Sequence, residues 1–188
     1  IFFDLDDTLY PHESGLWQAV RGRISLYMHE KLGFDKEEIS VIREDYFQTY
    51  GTTLRGIQAN FDVDEKEYHA YVHQLPLDDY IAPDPNLRAL LEHLARRKIV
   101  FTSADMAHAQ RVLSHLGISD YFEKIIDIYA VAPHAKPQPE AFQRALSLAD
   151  ENDPRSCVMI DDFPKTTRAA RDFGLFSILK GNKGSIED

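Results

Sequence analysis

Ile1-Phe2-Phe3-Asp4-Leu5-Asp6-Asp7-Thr8-Leu9-Tyr10 opens the chain. An apolar run of β-forming residues ends in the acids Asp4, Asp6 and Asp7. Like charges this close push one carboxyl toward its protonated form unless a cation lies between them. Asp4 and Asp6 are two positions apart, and the strand period of two puts both on one side, facing a single point. A hard divalent ion such as Mg2+ takes oxygen ligands, so the pair reads as part of a metal site. Asp7 should point elsewhere. Taken alone, the stretch also reads as an acidic turn or a helix cap.

Further apolar runs follow the same plan: Ile99–Phe101, Ile125–Tyr129, Val158–Ile160 and Phe176–Leu179. Helical spacing fills the intervals. Leu87, Leu90, Leu91 and Leu94 recur at i, i+3, i+4 and i+7, as do Ala109, Val112, Leu113 and Leu116 before Gly117, and Phe142, Ala145, Leu146 and Ala149. Short strands alternating with helices predict an α/β fold with a parallel sheet and helices on both faces. Its ligand site is expected outside the carboxyl ends of the strands. Residues 11–83 break the alternation. Leu16, Ala19, Val20, Ile24 and Tyr27 predict one amphipathic helix there, and Glu37–Tyr50 and Glu65–Leu75 predict others. Pro76, Pro83 and Pro85 mark the return to the sheet.

The chain has 188 residues with 44% hydrophobic content, enough for one core carrying a sizeable insertion. A formal net charge of −10 argues against a nucleic-acid polymer or an anionic membrane as the main partner. A small phosphate ester stays open, because a local cation overrides the global sign. No apolar stretch reaches the roughly 20 residues of a membrane span. The single cysteine, Cys157, excludes an internal disulfide and fits a reducing compartment such as the cytoplasm. Within Cys157-Val158-Met159-Ile160 it reads as a core thiol. The chain starts at Ile1 rather than Met, which leaves a preceding segment open. Gly181–Asp188 is polar and reads as a loop before another element.

Chemistry concentrates at the ends of the predicted strands. After Asp4-Leu5-Asp6 come Thr102-Ser103, Lys136-Pro137 ahead of a helix, and Asp161-Asp162 closing the run from Val158. Each has an ordinary alternative: hydroxyls that cap a helix, a solvated lysine, an N-cap acid. Their order is informative. Asp4-Leu5-Asp6-Asp7-Thr8, Thr102, Lys136-Pro137 and Asp161-Asp162 together resemble the four motifs of the haloacid dehalogenase superfamily of phosphohydrolases. The resemblance implies a Rossmann-like core, residues 1–10 and 84–188, with an inserted helical cap, residues 11–83. It implies that Asp4 is the nucleophile, forming an aspartyl-phosphate. Asp6 would be general acid and then base. Thr102 would hydrogen-bond a phosphoryl oxygen, and Lys136 would neutralise nucleophile and phosphate. Mg2+ would be held by Asp4, the backbone carbonyl of Asp6 and Asp162, with Asp161 bound directly or one layer out.

Two departures stand out. Close relatives often read Thr-Asn in the second motif, and here Ser103 follows Thr102; the shorter side chain should reach the phosphate less well or through water. Phe163 and Thr166 stand where the fourth motif often has a small residue and an Asp or Asn. These bear on rate more than on reaction type.

Beyond the core motifs, Phe3–Tyr10, Tyr50-Gly51-Thr52-Thr53-Leu54-Arg55-Gly56 and Leu75-Pro76-Leu77-Asp78-Asp79-Tyr80-Ile81 resemble the pyrimidine 5′-nucleotidase branch, which removes phosphate from UMP and CMP. Arg55, beside two glycines at a break between helices, is the candidate contact to a phosphate or a base carbonyl. Trp17, Tyr50 and Phe61 read more readily as core than as base-stacking residues. His69 and His73, at i and i+4, read as an exposed helix face rather than a metal grip. His108, after the second motif, and His134 are assigned no role. Other readings use the same residues. A dehalogenase needs no metal and normally lacks the second carboxylate of the first motif, which Asp6 supplies here. Another small-metabolite phosphatase or a sugar-phosphate phosphotransferase keeps the whole set. A non-catalytic binding module would be marked by loss of Asp4 or Lys136, and both are present.

Overall fold

The computed structural model describes residues 1–181. Five short strands form one all-parallel sheet in the order β3-β2-β1-β4-β5. They are β1 (Phe2–Phe3), β2 (Ile99–Phe101), β3 (Lys124–Ile126), β4 (Val158–Asp161) and β5 (Phe176–Leu179). Phe2 is in register with Ile99 on one side and Met159 on the other. The strand order therefore reverses at β1, and the crevice of such a sheet opens beyond the carboxyl end of that strand. Asp4 is the first residue past it. This is an α/β fold with a Rossmann-like core.

Ile99 and Phe101 enter a cluster with Phe2, Met159 and the buried face of α7 (Pro139–Leu148), namely Ala141, Phe142, Ala145 and Leu146. Val100, between them in the pleat, is also fully buried, so the sheet is covered on both faces. The stripe Ala109, Val112, Leu113 and Leu116 is buried on α6 (Met106–Leu116), which ends at Gly117 with φ 67°. That left-handed conformation suits glycine, and its N–H closes the last turn on Leu113 and Ser114 carbonyls. α8 (Pro164–Phe173) follows β4 and packs on α7.

Some expectations need correction. β3 stops at Ile126 rather than running to Tyr129. The Asp127 carboxylate accepts from the N–H groups of Met106 and Ala130, which turns the chain there. On α5 (Pro85–His93), Leu91 is buried but Leu90 is 55% exposed, so the predicted stripe is narrower than its spacing. Pro85 opens that helix, behind Asp84 as N-cap.

The chain divides into two compact units, one of residues 1–14 and 77–188, the other Gly15–Pro76. The insertion is thus shorter at both ends than residues 11–83. His12 is bound to Asp7, and the Ile81 carbonyl to the His115 ring, so these flanking turns belong with the sheet. The expected loop at Gly181–Asp188 lies, beyond Gly181, outside the described residues. Among the described residues no helix is long and apolar enough to cross a membrane.

The inserted unit contains α1 (Leu16–Leu32), α2 (Ile39–Tyr50), α3 (Thr53–Asn60) and α4 (Glu65–Val72). Val20, Ile24, Tyr27, Met28, Ile39, Leu54, Ile57, Tyr68 and Val72 form its core. Trp17 and Phe61 pack against this core, as their spacing suggested. Tyr50 is 36% exposed and meets Tyr46 edge-on. His69 and His73 are both buried with their rings stacked, not on an exposed face. α3 was not foreseen, since its Gly56 reads as a breaker. The glycine is instead where α2 comes close: a Cβ there would lie 2.2 Å from Cγ of Tyr46. Gly56→Ala is expected to destabilise this unit. Overpacking of this kind costs about 1–3 kcal/mol, against about 1 kcal/mol returned by alanine's helix propensity. Urea denaturation checks it, and Tyr46→Ala should relieve the clash in the double variant.

Candidate active site

Lys136 enters from the loop before α7 and is buried. Its ammonium donates to Asp4 Oδ1 at 2.6 Å, to Asp161 Oδ2 at 2.8 Å and to the Phe101 carbonyl at 2.9 Å. Three strand ends, β1, β2 and β4, are tied to one cation. The Phe101 ring also lies 5.3 Å from this ammonium. Asp161 Oδ1 accepts the Phe163 N–H at 2.8 Å, so both of its oxygens are held.

Asp162 completes the acidic group. One oxygen each from Asp4, Asp161 and Asp162 lies within 4.8 Å of the others. Thr8 locks Asp162 in place: its hydroxyl donates to Asp162 Oδ1 and accepts the Asp162 N–H, both at 3.1 Å. Burial, helped by the Asp161 carboxylate, pushes Asp162 up to about 6. Burial likewise holds Asp4 well above the usual carboxylate range, against the pull of Lys136. Burial disfavours the charge on Lys136, but Asp161 and Asp4 outweigh it and raise the ammonium above its ordinary range. Three carboxyls face one ammonium, so two positive charges are missing from a fully ionised cluster.

Asp6 goes elsewhere. The strand ends at Phe3, and the chain turns at Leu5, whose carbonyl accepts the N–H groups of Thr8 and Leu9. The Asp6 carboxylate therefore does not share one point with that of Asp4. Its Oδ1 contacts the Tyr10 hydroxyl at 2.7 Å and His108 Nε2 at 2.8 Å. The turn is supported from β5: Lys180 donates to the carbonyls of Asp7 at 2.5 Å and Tyr10 at 2.8 Å. Asp7 has φ 58°, is buried, and meets the exposed His12 ring at 2.6 Å.

Thr102 follows β2 and is buried. Its hydroxyl oxygen accepts the Ala104 N–H at 3.0 Å, which keeps its own O–H as a donor. Ser103, beside it, is exposed. Arg55 belongs to the separate inserted unit and lies in the first turn of α3 rather than at a break; its N–H is capped by Thr52 Oγ1 at 3.1 Å. Thr166 is buried on α8. Sequence reasoning assigned no role to Thr8, Tyr10, His108 or Lys180. Thr8 and Tyr10 were visible in the opening stretch, and His108 as the third residue of a helix capped by Asp105. Lys180 carried no local signal.

Comparison with known proteins bears on the family and the fold. The chain is 30% identical over 192 residues to Phosphate metabolism protein 8 of Saccharomyces cerevisiae, a match that takes in 95% of this chain. The chain spans only 60% of that yeast protein's length. It is 25% identical to Fructose-1-phosphate phosphatase YqaB of Escherichia coli, over 95% of this chain and 94% of that protein. Among solved structures, CbbY from Rhodobacter sphaeroides in complex with phosphate superposes with a TM-score of 0.68. It covers 100% of this chain and 88% of its own, and at 20% identity the likeness concerns the fold. The family model described as haloacid dehalogenase-like hydrolase matches residues 1–174, from the strand that carries Asp4 past the acids that close β4, and the chain belongs to that family.

Proposed function

We propose that the chain is a Mg2+-dependent phosphomonoester hydrolase working through an aspartyl-phosphate on Asp4. The observation that carries this reading is the Lys136 ammonium between Asp4 and Asp161, with Asp162 beside them, at the switch point of the sheet. The donor set fits magnesium: all carboxylate oxygens, spaced on the scale of the ~4.2 Å across an octahedral Mg2+ site. A divalent ion also supplies the charge that the cluster lacks. When bound, it offsets the repulsion between an anionic nucleophile and a phosphate dianion.

The chain's own residues then divide the work. An Asp4 carboxylate oxygen attacks phosphorus as the ester P–O bond breaks, and Asp6 gives its proton to the leaving oxygen. Water next attacks the phosphorus of the aspartyl-phosphate; Asp6 takes a proton from that water, and inorganic phosphate leaves with the Asp4 carboxylate restored. Thr102 donates its hydroxyl hydrogen to a phosphoryl oxygen, with the exposed Ser103 as a second hydroxyl. Lys136 stays protonated throughout and steadies both nucleophile and phosphate. In this reading residues 15–76 act as the substrate-selecting cap, with Arg55 as its phosphate- or base-recognising residue.

The substrate we favour is a nucleoside 5′-monophosphate, UMP or CMP, on the resemblance of the stretches around Tyr10, Arg55 and Leu77. A sugar phosphate is the second reading, favoured by the likeness to a fructose-1-phosphate phosphatase along nearly its whole length. Phosphate release with Mg2+ across UMP, CMP, AMP, GMP, hexose phosphates and phosphoglycolate separates them. Preference for UMP and CMP is expected; preference for a hexose phosphate would replace the nucleotide and keep the chemistry.

Asp4→Asn should reduce turnover to background while leaving the circular dichroism spectrum unchanged. Near-wild-type turnover would remove Asp4 as nucleophile. Magnesium should raise the melting temperature. At a concentration about 100 times its Kd the gain is about 2.7 kcal/mol, and each kcal/mol is worth about 2–4 °C in a protein of this size. Indifference to Mg2+ would favour metal-independent dehalogenation.

A further inference from the structure

The contacts of Asp6 go beyond the reading above, although they rest on it for the role of Asp6. From the geometry we infer that His108 and Tyr10 are positioning residues that aim the Asp6 carboxyl at the leaving group. Neither residue touches the acidic cluster through any contact described above. Both meet one oxygen, Asp6 Oδ1, at 2.8 and 2.7 Å. Against a carboxylate oxygen, Nε2 and the phenol must each supply the hydrogen. The two donors arrive from different parts of the chain, so together they fix the carboxyl's rotation and decide which oxygen is turned toward a substrate.

Both donors are themselves rigidly held. The His108 side chain is only 1% exposed, against 13% for Asp6. It is the third residue of α6, and two acids set where that helix begins. Asp105 accepts from the N–H groups of Ala107 and His108, and Asp127, just past β3, accepts that of Met106. The loop from β2 to α6 is braced in turn by Thr102 Oγ1 on the Ala104 N–H. Thr102 and His108 thus lie on one braced segment, so the phosphate donor and the guide of the proton donor keep a fixed spacing. Tyr10 is 3% exposed at the far end of the turn, and Lys180 pins its carbonyl at 2.8 Å.

A carboxyl aimed this way serves two events of the proposed cycle: protonation of the leaving oxygen, and removal of a proton from the water that later attacks the aspartyl-phosphate. Nucleophilic attack by Asp4 does not need it. Of the two events, only leaving-group protonation depends on the ester, and it is read in kcat/KM: there an ester whose leaving group departs unaided bypasses the device, whereas an alkyl ester depends on it. A residue that merely supports the fold shows no such distinction.

The experiment compares 4-nitrophenyl phosphate with the best alkyl phosphate of the substrate panel, using wild type, Tyr10→Phe, His108→Ala and His108→Gln with Mg2+. Tyr10→Phe deletes one hydroxyl and keeps the ring, so it is the variant least prone to misfolding. General acid catalysis is worth about 10²–10⁴-fold. Loss of one of two guides is expected to lower kcat/KM on the alkyl ester by about tenfold or more while leaving kcat/KM on the aryl ester within about twofold. His108→Gln, which still offers an N–H, should recover part of what His108→Ala loses. Equal losses of kcat/KM on both esters, or no loss on either, would overturn the positioning role and leave the hydrolase reading standing. A wild-type chain that cleaves neither ester would overturn the hydrolase reading and this inference with it.

Discussion

A buried ammonium shared by two carboxylates is the constraint on which this molecule depends. Burying Lys136 is costly unless its charge is matched, and matching it with Asp4 and Asp161 demands that β1 and β4 end at the same level. The parallel register does this: Phe3 pairs with Ile160, so Asp4 and Asp161 each stand one residue further on, side by side. The Phe101 carbonyl adds β2 to the same cation. A triad of strands is tied at its carboxyl ends by one side chain from a loop.

The tie leaves a surplus of negative charge, and the proposed function uses that surplus to hold a cation. A structure selected only for stability would not place Asp162 beside an ammonium whose charge two carboxylates already exceed. Burial raises the affinity of these acids for protons, which is the same physics that raises their affinity for a hard cation. Thr8 holds Asp162 in place from both its backbone and its side chain, so the position does not depend on an ion to form.

Asp4 and Asp6 illustrate how two acids of one short motif acquire different tasks. The turn after Leu5 sends them into different surroundings: Asp4 to an ammonium and two acids, Asp6 to a phenol and an imidazole. In the roles proposed for them, a nucleophile and a proton donor, this separation lessens the mutual repulsion that a shared point would impose, although the Asp6 charge still helps raise Asp4. The braced loop between β2 and α6 carries both Thr102 and His108, and His108 reaches Asp6 from it.

Much of this was legible in the primary structure, for physical reasons. Apolar runs a few residues long, separated by helical periods, determined the parallel α/β sheet, because strands buried on both faces leave no polar alternation. Asp4, Thr102 and Asp161-Asp162 each followed such a run, and Lys136 preceded a helical period, so the chemistry was readable before any coordinates. The insertion was readable as a loss of that alternation, although its ends were not, because a turn such as the one at Ile81 is tied to the sheet unit by a distant partner, His115, rather than marked by composition. Other features depended on tertiary structure alone. Gly56 reads as a breaker and is instead a close-approach point, which only the position of Tyr46 reveals. The divergence of Asp6 from Asp4, and its meeting with His108 across 102 positions of sequence, depend on where a turn ends and a distant helix begins. Local sequence determined which chemical groups stand at the strand ends; chain packing decided which of them face one another.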